Sequence, residues 1–586
     1  MSTLSPKMQA LLAAMSKTQP VNTGTEPSAS KSAESVSPET IRENILHLSG
    51  HAVSSRIILN EKQMIAVQYA KEGKSFTLIG PAGCGKTTTL AYSAISMLQT
   101  YNMEQIAMCA FTHTAANNIK RAMSKYPELK EFSGKRISTI HRLLGFRPVN
   151  YQYTNDAGEL VDSMRFEPTY DKYNQLTGLK LVVVEEASML GLHLWKQLRE
   201  ACPDDVSFVF VGDINQIPPV FGDSILGYKL LELPVVELTE VYRQALESPI
   251  VGFQHKYTLK GQVPGDSFLV SGGGLTWLPA KTLHKDPDKA VLGTVSYFKN
   301  QFLSGEYTPD EDIILIPYNK KFGTIELNKR IASFLGEHRN AMVHEIIAGF
   351  EKHYYAIGDK VRYKKEEYRI TDIQPNHAYS GVSPQPASVD MNRMGTYRNN
   401  NVEISTEVSE SEWDFEDILS QVDSIGEEDE SVKNAASHRI TLTAITAWEG
   451  ENPSVVTVST RGELNEMDFA YCLTIHKSQG SEWRRVFLIL TRHHAVMLSR
   501  ELLYTGMTRA REELVMMYSP ASAPGKKDSS IAKCINNPRI PGQGWGEKKR
   551  YFMDRLHEYE ATMKNGNDGL STEDKEMLSV IDSMVA

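Results

Sequence analysis

The chain is predicted to be α/β: two parallel sheets with helices on their faces, an inserted hairpin, and a small, mostly β inserted subdomain. Three observations carry that prediction. From about residue 41 to 240, the strand-like runs SFTLIG, QIAMCAFT, LKLVVVEE and VSFVFVGD are each followed by a helical stretch. That alternation is the signature of a parallel sheet with crossover helices. It returns at DIILIPYNK (312–320), DFAYCLTIHKSQG, WRRVFLILT and ELVMMYS, so the same kind of layer is built twice. Finally, LVVV (181–184) has no polar alternation, as expected of a strand covered on both faces.

In chain order, residues 1–40 are rich in Ser, Thr, Pro and Ala and read as a disordered leader with one amphipathic piece, PKMQALLAAMSK. Between 150 and 168, two strand-like pieces flank Asn155-Asp156-Ala157-Gly158, which predicts a hairpin. A less regular region spans roughly 350–465. Within it, Asn399 to Val432 has no Lys or Arg and a dozen acids, including EEDE at 427–430. Such a block reads as a solvated loop or, more sharply, as a phosphate mimic that competes with nucleic acid. After about 520, SPASAPGKKDSS reads as a linker. It is followed by a helix with Phe552, Leu556, Tyr559 and Met563 on one face, and by a segment opening STED, a capping box.

Composition narrows the function classes. A chain of 586 residues exceeds one ordinary core. Its 41% apolar and 23% charged residues are those of a globular protein. A net charge of −9 argues against a wholly basic nucleic-acid coat but leaves room for a basic groove on one face. Cys84, Cys109, Cys202, Cys472 and Cys534 form no CxxC pair and no zinc spacing, which fits a reducing compartment. No stretch reaches the length of a membrane span. A cytoplasmic enzyme, in a cell or a phage-infected host, is the expectation.

Chemistry enters at GPAGCGKT (80–87), set between the strand SFTLI and the helix TTLAYSAISML. This is a phosphate-binding loop in its required strand-to-helix context. Gly80, Gly83 and Gly85 permit the tight turn, and the backbone of Gly80, Pro81, Ala82, Gly83, Cys84 and Gly85 leads into a helix N-terminus aimed at phosphate oxygens. Lys86 would reach the β- and γ-phosphates of ATP, Thr87 would hold Mg²⁺, and Thr88 extends the cradle. Glu185 and Glu186, adjacent at the end of LVVVEE, repel one another and lose hydration, so they need a compensating cation. The magnesium of ATP would supply it, with Glu185 as metal ligand and Glu186 orienting or deprotonating the attacking water.

An ordered set of motifs between about 59 and 515 resembles the superfamily 1 helicases of the RecD/Dda kind, two-lobed ATP-driven DNA motors. The motifs are LNEKQ (59–63), GPAGCGKT, AFTHTAANNIK (110–120), STIHRLLGF (138–146), LVVVEE, VGDINQIPPV (211–220), LTEVYRQ (238–244), LTIHKSQGSEW (473–483) and LLYTGMTRARE (502–512). The resemblance implies two RecA-like domains, 41–236 and 237–520. The first carries the hairpin, at about 148–170, as a strand-separating wedge. The second carries an inserted subdomain at about 355–465, and 521–586 forms a linker and C-terminal helices. It implies that Gln63 reads adenine, Gln216 lies near the γ-phosphate, Glu482 touches ribose, and Arg243 and Arg509 are arginine fingers. Thr112, His113, Thr139, His141, Asn319, Thr474 and His476 would line single-stranded DNA. Phe111 reads as a core aromatic or as one that stacks on a base.

Two departures stand out. Glu185 replaces the usual Asp, one methylene longer, and the acidic stretch interrupts the inserted subdomain. The implied activity is 5′-to-3′ unwinding of forked DNA in replication, recombination or repair. Partners of those processes would be engaged by the leader or the C-terminal helices. The alternative is an ATP-switched DNA-binding or assembly subunit without unwinding of its own. A motor subunit of a nuclease is a third reading, although the chain has no nuclease constellation.

Overall fold

Apolar runs become central strands in the computed structural model. It describes residues 58–154, 160–219, 224–241, 248–265, 269, 271–281, 283–348, 351–364, 366–379, 435–445, 453–523, 525–542 and 545–564. The leader, the acidic stretch 399–432 and the STED segment lie outside the described residues.

The chain first lays down β1 (Phe76–Ile79), β2 (Ile106–Ala110) and β3 (Ile137–Thr139). A hairpin follows, β4 (Arg147–Thr154) and β5 (Leu160–Glu167), and then β6 (Leu181–Glu185), β7 (Ser207–Gly212) and β8 (Val235–Glu237). Apart from the hairpin, these strands form one parallel sheet in the order β3-β2-β6-β7-β1-β8. In β6, Leu181 and Val183 enter the core on one face, and Val182 and Val184 enter the core on the other. Double coverage is why this strand shows no polar alternation. The hairpin pairs antiparallel from Arg147 opposite Glu167 to Thr154 opposite Leu160, and its predicted turn residues lie outside the described residues.

The later chain adds β9 (Leu275–Pro279), β10 (Asp312–Ile316) and a hairpin of β11 (Val343–Ala348) and β12 (Glu351–Ala356). Next come β13 (Lys360–Tyr363), β14 (Glu366–Pro375), β15 (Ala435–Ala444), β16 (Val455–Thr460) and β17 (Asp468–Phe469), then β18 (Cys472–Thr474), β19 (Trp483–Leu490) and β20 (Ala510–Tyr518). A second parallel sheet has the order β18-β10-β19-β20-β9. The predicted small β insertion is the antiparallel sheet β16-β15-β14-β13-β17, with its own apolar core around Val361, Ile370, Ile440 and Leu442.

The helix Trp545–Lys564 crosses back to the first sheet. Phe552 and Leu556 are buried in the same core as Val182 and Phe210. Gly227, in the helix Ile225–Glu232, is the seat of the Phe552 ring: a Cβ there would meet Phe552 Cε1 at 2.1 Å. The Phe552 and Leu556 face of the helix Trp545–Lys564 is occupied within the molecule, because the first sheet leaves apolar surface that the helix covers. Tyr559 and Met563 have side chains outside the described residues. Among the described residues, no helix is long and apolar enough to cross a membrane. All five cysteines are buried free thiols.

Candidate functional site

The first sheet turns into its central helix through the glycine loop. Gly83 (φ 81°) and Gly85 (φ 83°) adopt left-handed backbone that L side chains avoid, and Gly85 caps the helix Lys86–Thr100 with no side chain in the way. A Cβ at Gly80 would meet Cys84 Sγ at 2.5 Å and the Leu238 carbonyl at 2.8 Å. Lys86 Nζ donates to the carbonyls of Gly80 (2.7 Å) and Pro81 (3.1 Å), so its charge is curled over the loop. Burial alone would lower the Lys86 pKa, but the charges of Asp213, Glu186 and Glu185 help raise it. Thr87 is exposed and Thr88 partly so, while Cys84 is buried and its thiol is pushed up by burial.

Glu185 closes β6 opposite Ala110. Glu186 follows with φ 52° and ψ 39°, a strained conformation for a non-glycine residue. Burial raises both carboxyl pKa values. Each further feels an acidic neighbour: Glu186 acts on Glu185, and Asp213 and Glu482 act on Glu186. Arg509 and Lys86 act on Glu186 in the opposite sense. Arg509 is buried, and its guanidinium donates to the carbonyls of Thr505 (3.1 Å) and Ser481 (3.2 Å) and to Thr508 Oγ1 (2.9 Å). The structure therefore brings Lys86, Glu185, Glu186 and Arg509 into one electrostatic cluster, with exposed Glu482 within reach of it. Arg243 lies outside the described residues.

Sequence reasoning missed the group that ties this cluster together. Tyr504 Oη, on the helix Arg500–Met507, donates to Asp213 Oδ2 at 2.6 Å and accepts from the Ala82 amide at 2.8 Å. Asp213 Oδ1 accepts from the amide (2.9 Å) and side chain (3.0 Å) of Asn215. The Ile217 amide donates to Thr505 Oγ1 at 2.9 Å, and its carbonyl accepts from Gln479 Nε2 at 3.1 Å. Gln216, between them, is buried, and its Oε1 has no partner within the protein. Asp213 ends VSFVFVGD as Glu185 ends LVVVE, so the rule that singled out the glutamates would have found it.

These features fit a nucleoside triphosphate with Mg²⁺. The glycine cradle has no room for a side chain at Gly80, cations flank a carboxylate pair, and an orphaned acceptor is buried on the loop of Asp213, whose charge acts on Lys86 and Glu186. Gln63, by contrast, uses its amide oxygen locally, accepting from the Asn60 amide at 3.0 Å in a capping box.

The residues predicted to line DNA fall on the carboxyl ends of both sheets. Ala110 lies opposite Thr139 across β2 and β3. Thr112 and Thr139 cap the helices that follow them, accepting from the Ala115 (3.1 Å) and Arg142 (3.2 Å) amides. His141 is buried between Phe111 and Phe146, with ring centroids 6.1 and 4.9 Å away. Phe111 is partly buried and packed on the first core, which favours its core reading. His113 begins the helix His113–Met123, partly exposed. Across the cleft, Gly480 abuts Thr112, and Asn118 Nδ2 donates to the Gly480 carbonyl at 2.6 Å. Asn319 and Thr474 line a groove of about 1800 Å³ that Lys320, Lys329, Lys352 and Lys477 also face. His476 lies beyond the end of β18, its pKa lowered by burial to about 4.

Residues 63–222 match the family model described as an AAA domain, and 469–517 match the UvrD-like helicase C-terminal domain. The chain is 27% identical over 458 residues to the ATP-dependent RecD2 DNA helicase of Deinococcus radiodurans, spanning 78% of this chain but about half (48%) of that relative. It is 24% identical to the RecBCD enzyme subunit RecD of Haemophilus influenzae, over 78% of this chain and 68% of that one. The ATP-dependent DNA helicase dda of Enterobacteria phage T4 is 30% identical over 193 residues, 32% of this chain and 38% of that one.

Proposed function

We propose that this chain, which belongs to the RecD/Dda-like superfamily 1 helicases, hydrolyses ATP between its two parallel-sheet lobes and uses the cycle to move 5′ to 3′ along single-stranded DNA and open forked duplexes. The observation that carries this reading is the two-sided cleft. The glycine loop and Glu186 come from one lobe, Arg509 and Tyr504 come from the other, and Tyr504 bonds to the loop itself.

In the proposed chemistry, Lys86 leaves the Gly80 and Pro81 carbonyls for the β- and γ-phosphates. Thr87 and Glu185 would hold Mg²⁺, which when bound neutralises charge on the phosphate oxygens. Glu186 accepts a proton from the attacking water as it bonds to the γ-phosphorus, and ADP leaves. A carboxylate with a raised pKa is a stronger base toward water than an ordinary glutamate. Gln216 Oε1 orients that water, and Arg509, with Arg243, stabilises charge on the transferred group. Gln63 and Glu482 would meet adenine and ribose. Thr112, His113, Thr139, His141, Asn319, Thr474 and His476 would border the strand, with the groove lysines attracting phosphates. The β4–β5 hairpin would split the duplex. The setting is the cytoplasm, in replication, recombination or repair.

Phosphate release from ATP, stimulated by single-stranded DNA and lost in Lys86→Ala, tests the motor; release equal in the two proteins would refute it. One observation favours a second reading, an ATP-switched assembly subunit: one relative is named as a subunit of a larger enzyme.

A further inference from the structure

The helix Trp545–Lys564 follows the second sheet in the chain but is packed on the first. Its approach is fastened to the second lobe: Glu501 accepts from the Arg539 (2.9 Å) and Ile540 (3.3 Å) amides, and Arg500 donates to the Ile535 carbonyl. At its first turn, Lys548 is only 3% exposed. Lys548 Nζ donates to the Ile214 carbonyl at 2.9 Å and to Asn215 Oδ1 at 3.0 Å. Both acceptors lie in the loop that follows β7. Asn215 in turn donates to Asp213, Asp213 accepts from Tyr504, and Tyr504 accepts from Ala82 of the glycine loop. A continuous run of hydrogen bonds thus leads from the C-terminal helix to the phosphate cradle.

We propose that Lys548 is a positioning residue for hydrolysis: it sets the 213–217 loop so that Asp213 holds Tyr504 against the glycine loop and Gln216 faces the reacting phosphate. The inference deepens the ATPase reading and rests on it. An ammonium with two fixed oxygen acceptors is a directional clamp, whereas a lysine that only filled space would have no reason to be buried at a carbonyl and an amide oxygen. Burial pulls the Lys548 pKa below the usual lysine range, and Glu501 and Asp213 act to keep the group charged. The seat is specific on the apolar side too, since Phe552, one turn on, fills the space above Gly227.

The full-length chain carrying Lys548→Met keeps the aliphatic stem and loses the donors. DNA-stimulated ATP hydrolysis is then expected to lose roughly tenfold in kcat, with KM for ATP within about twofold. Lys548→Gln, which retains a shorter donor, should fall between Met and wild type, and it carries the comparison if the Met variant does not fold. Combining Lys548→Met with Tyr504→Phe should cost little more than the worse single change, because both interrupt one network. An unchanged kcat in Lys548→Met and Lys548→Gln, with only a lowered thermal midpoint, would overturn the proposal and leave the helix a structural strap. So would fully additive effects with Tyr504→Phe. If wild type itself hydrolyses no ATP, the ATPase reading fails and this inference fails with it, a result distinct from an active wild type with indifferent Lys548 variants.

Discussion

The two parallel sheets present the same strand-turn-helix unit at their carboxyl ends and do opposite things with it. After β1 the turn is wound by Gly83 and Gly85 in left-handed backbone, and the helix Lys86–Thr100 begins without a side-chain cap. After β10 the turn folds on itself. The Thr324 and Ile325 amides donate to the Tyr318 (2.9 Å) and Asn319 (3.0 Å) carbonyls, and Thr324 Oγ1 donates to Asn319 Oδ1 at 3.0 Å. A helix start binds phosphate only if its amides are left for the ligand. The second sheet has used the first two amides of that helix internally. It contributes instead Arg509, Tyr504 and Thr505, side chains that reach across to the first sheet's loops.

The sharpest way to break this asymmetry is to disable the first turn. Lys86→Ala or Glu186→Gln should reduce ATP hydrolysis by roughly 10³-fold or more, with Glu186→Gln still retaining nucleotide on a filter. The second lobe's contribution comes next. Arg509→Ala should lower kcat by roughly 10²–10³-fold while leaving single-stranded DNA affinity within about twofold, measured by anisotropy. Equal DNA and ATP defects would mean that Arg509 is structural.

Stability effects are smaller. Gly227→Ala drives a methyl into the Phe552 ring and should destabilise the fold by about 1–3 kcal/mol in urea melts. His494 accepts from the Thr491 amide, donates to the Phe322 carbonyl and is stacked on Phe322, and burial lowers its pKa from 6.5 to about 4. The neutral form is the one the fold favours. Its contribution is therefore fully present above pH 6.5 and is lost as pH falls from there toward 4, where the thermal midpoint should drop. His494→Gln should flatten that acid limb. Thr324→Ala, in the self-closed turn, should lower stability by about 1 kcal/mol and leave KM for ATP unchanged.

Much of this was legible in the sequence because the relevant signals are local. The glycine loop sits between a strand and a helix within a few residues, and β6 is doubly covered, so LVVV announces itself. The short edge strands β3 and β8 were not legible, since each is only three residues long and its apolar run is too short to stand out. Tyr504 and Lys548 were hidden for another reason. Their partners lie hundreds of positions away in the chain, and a single tyrosine or lysine carries no periodicity that points to a carboxylate or a carbonyl across a cleft. The C-terminal helix showed its apolar face plainly, but amphipathicity reveals that a face must be covered, not what covers it.

Strand displacement on duplexes carrying a 5′ or a 3′ single-stranded tail, with ATP and with Lys86→Ala beside wild type, tests the central claim most directly. The two-lobed motor predicts opening of the 5′-tailed duplex alone, abolished by the substitution. Hydrolysis of ATP and binding of DNA with neither duplex opened would contradict it and favour a nucleotide-gated assembly subunit.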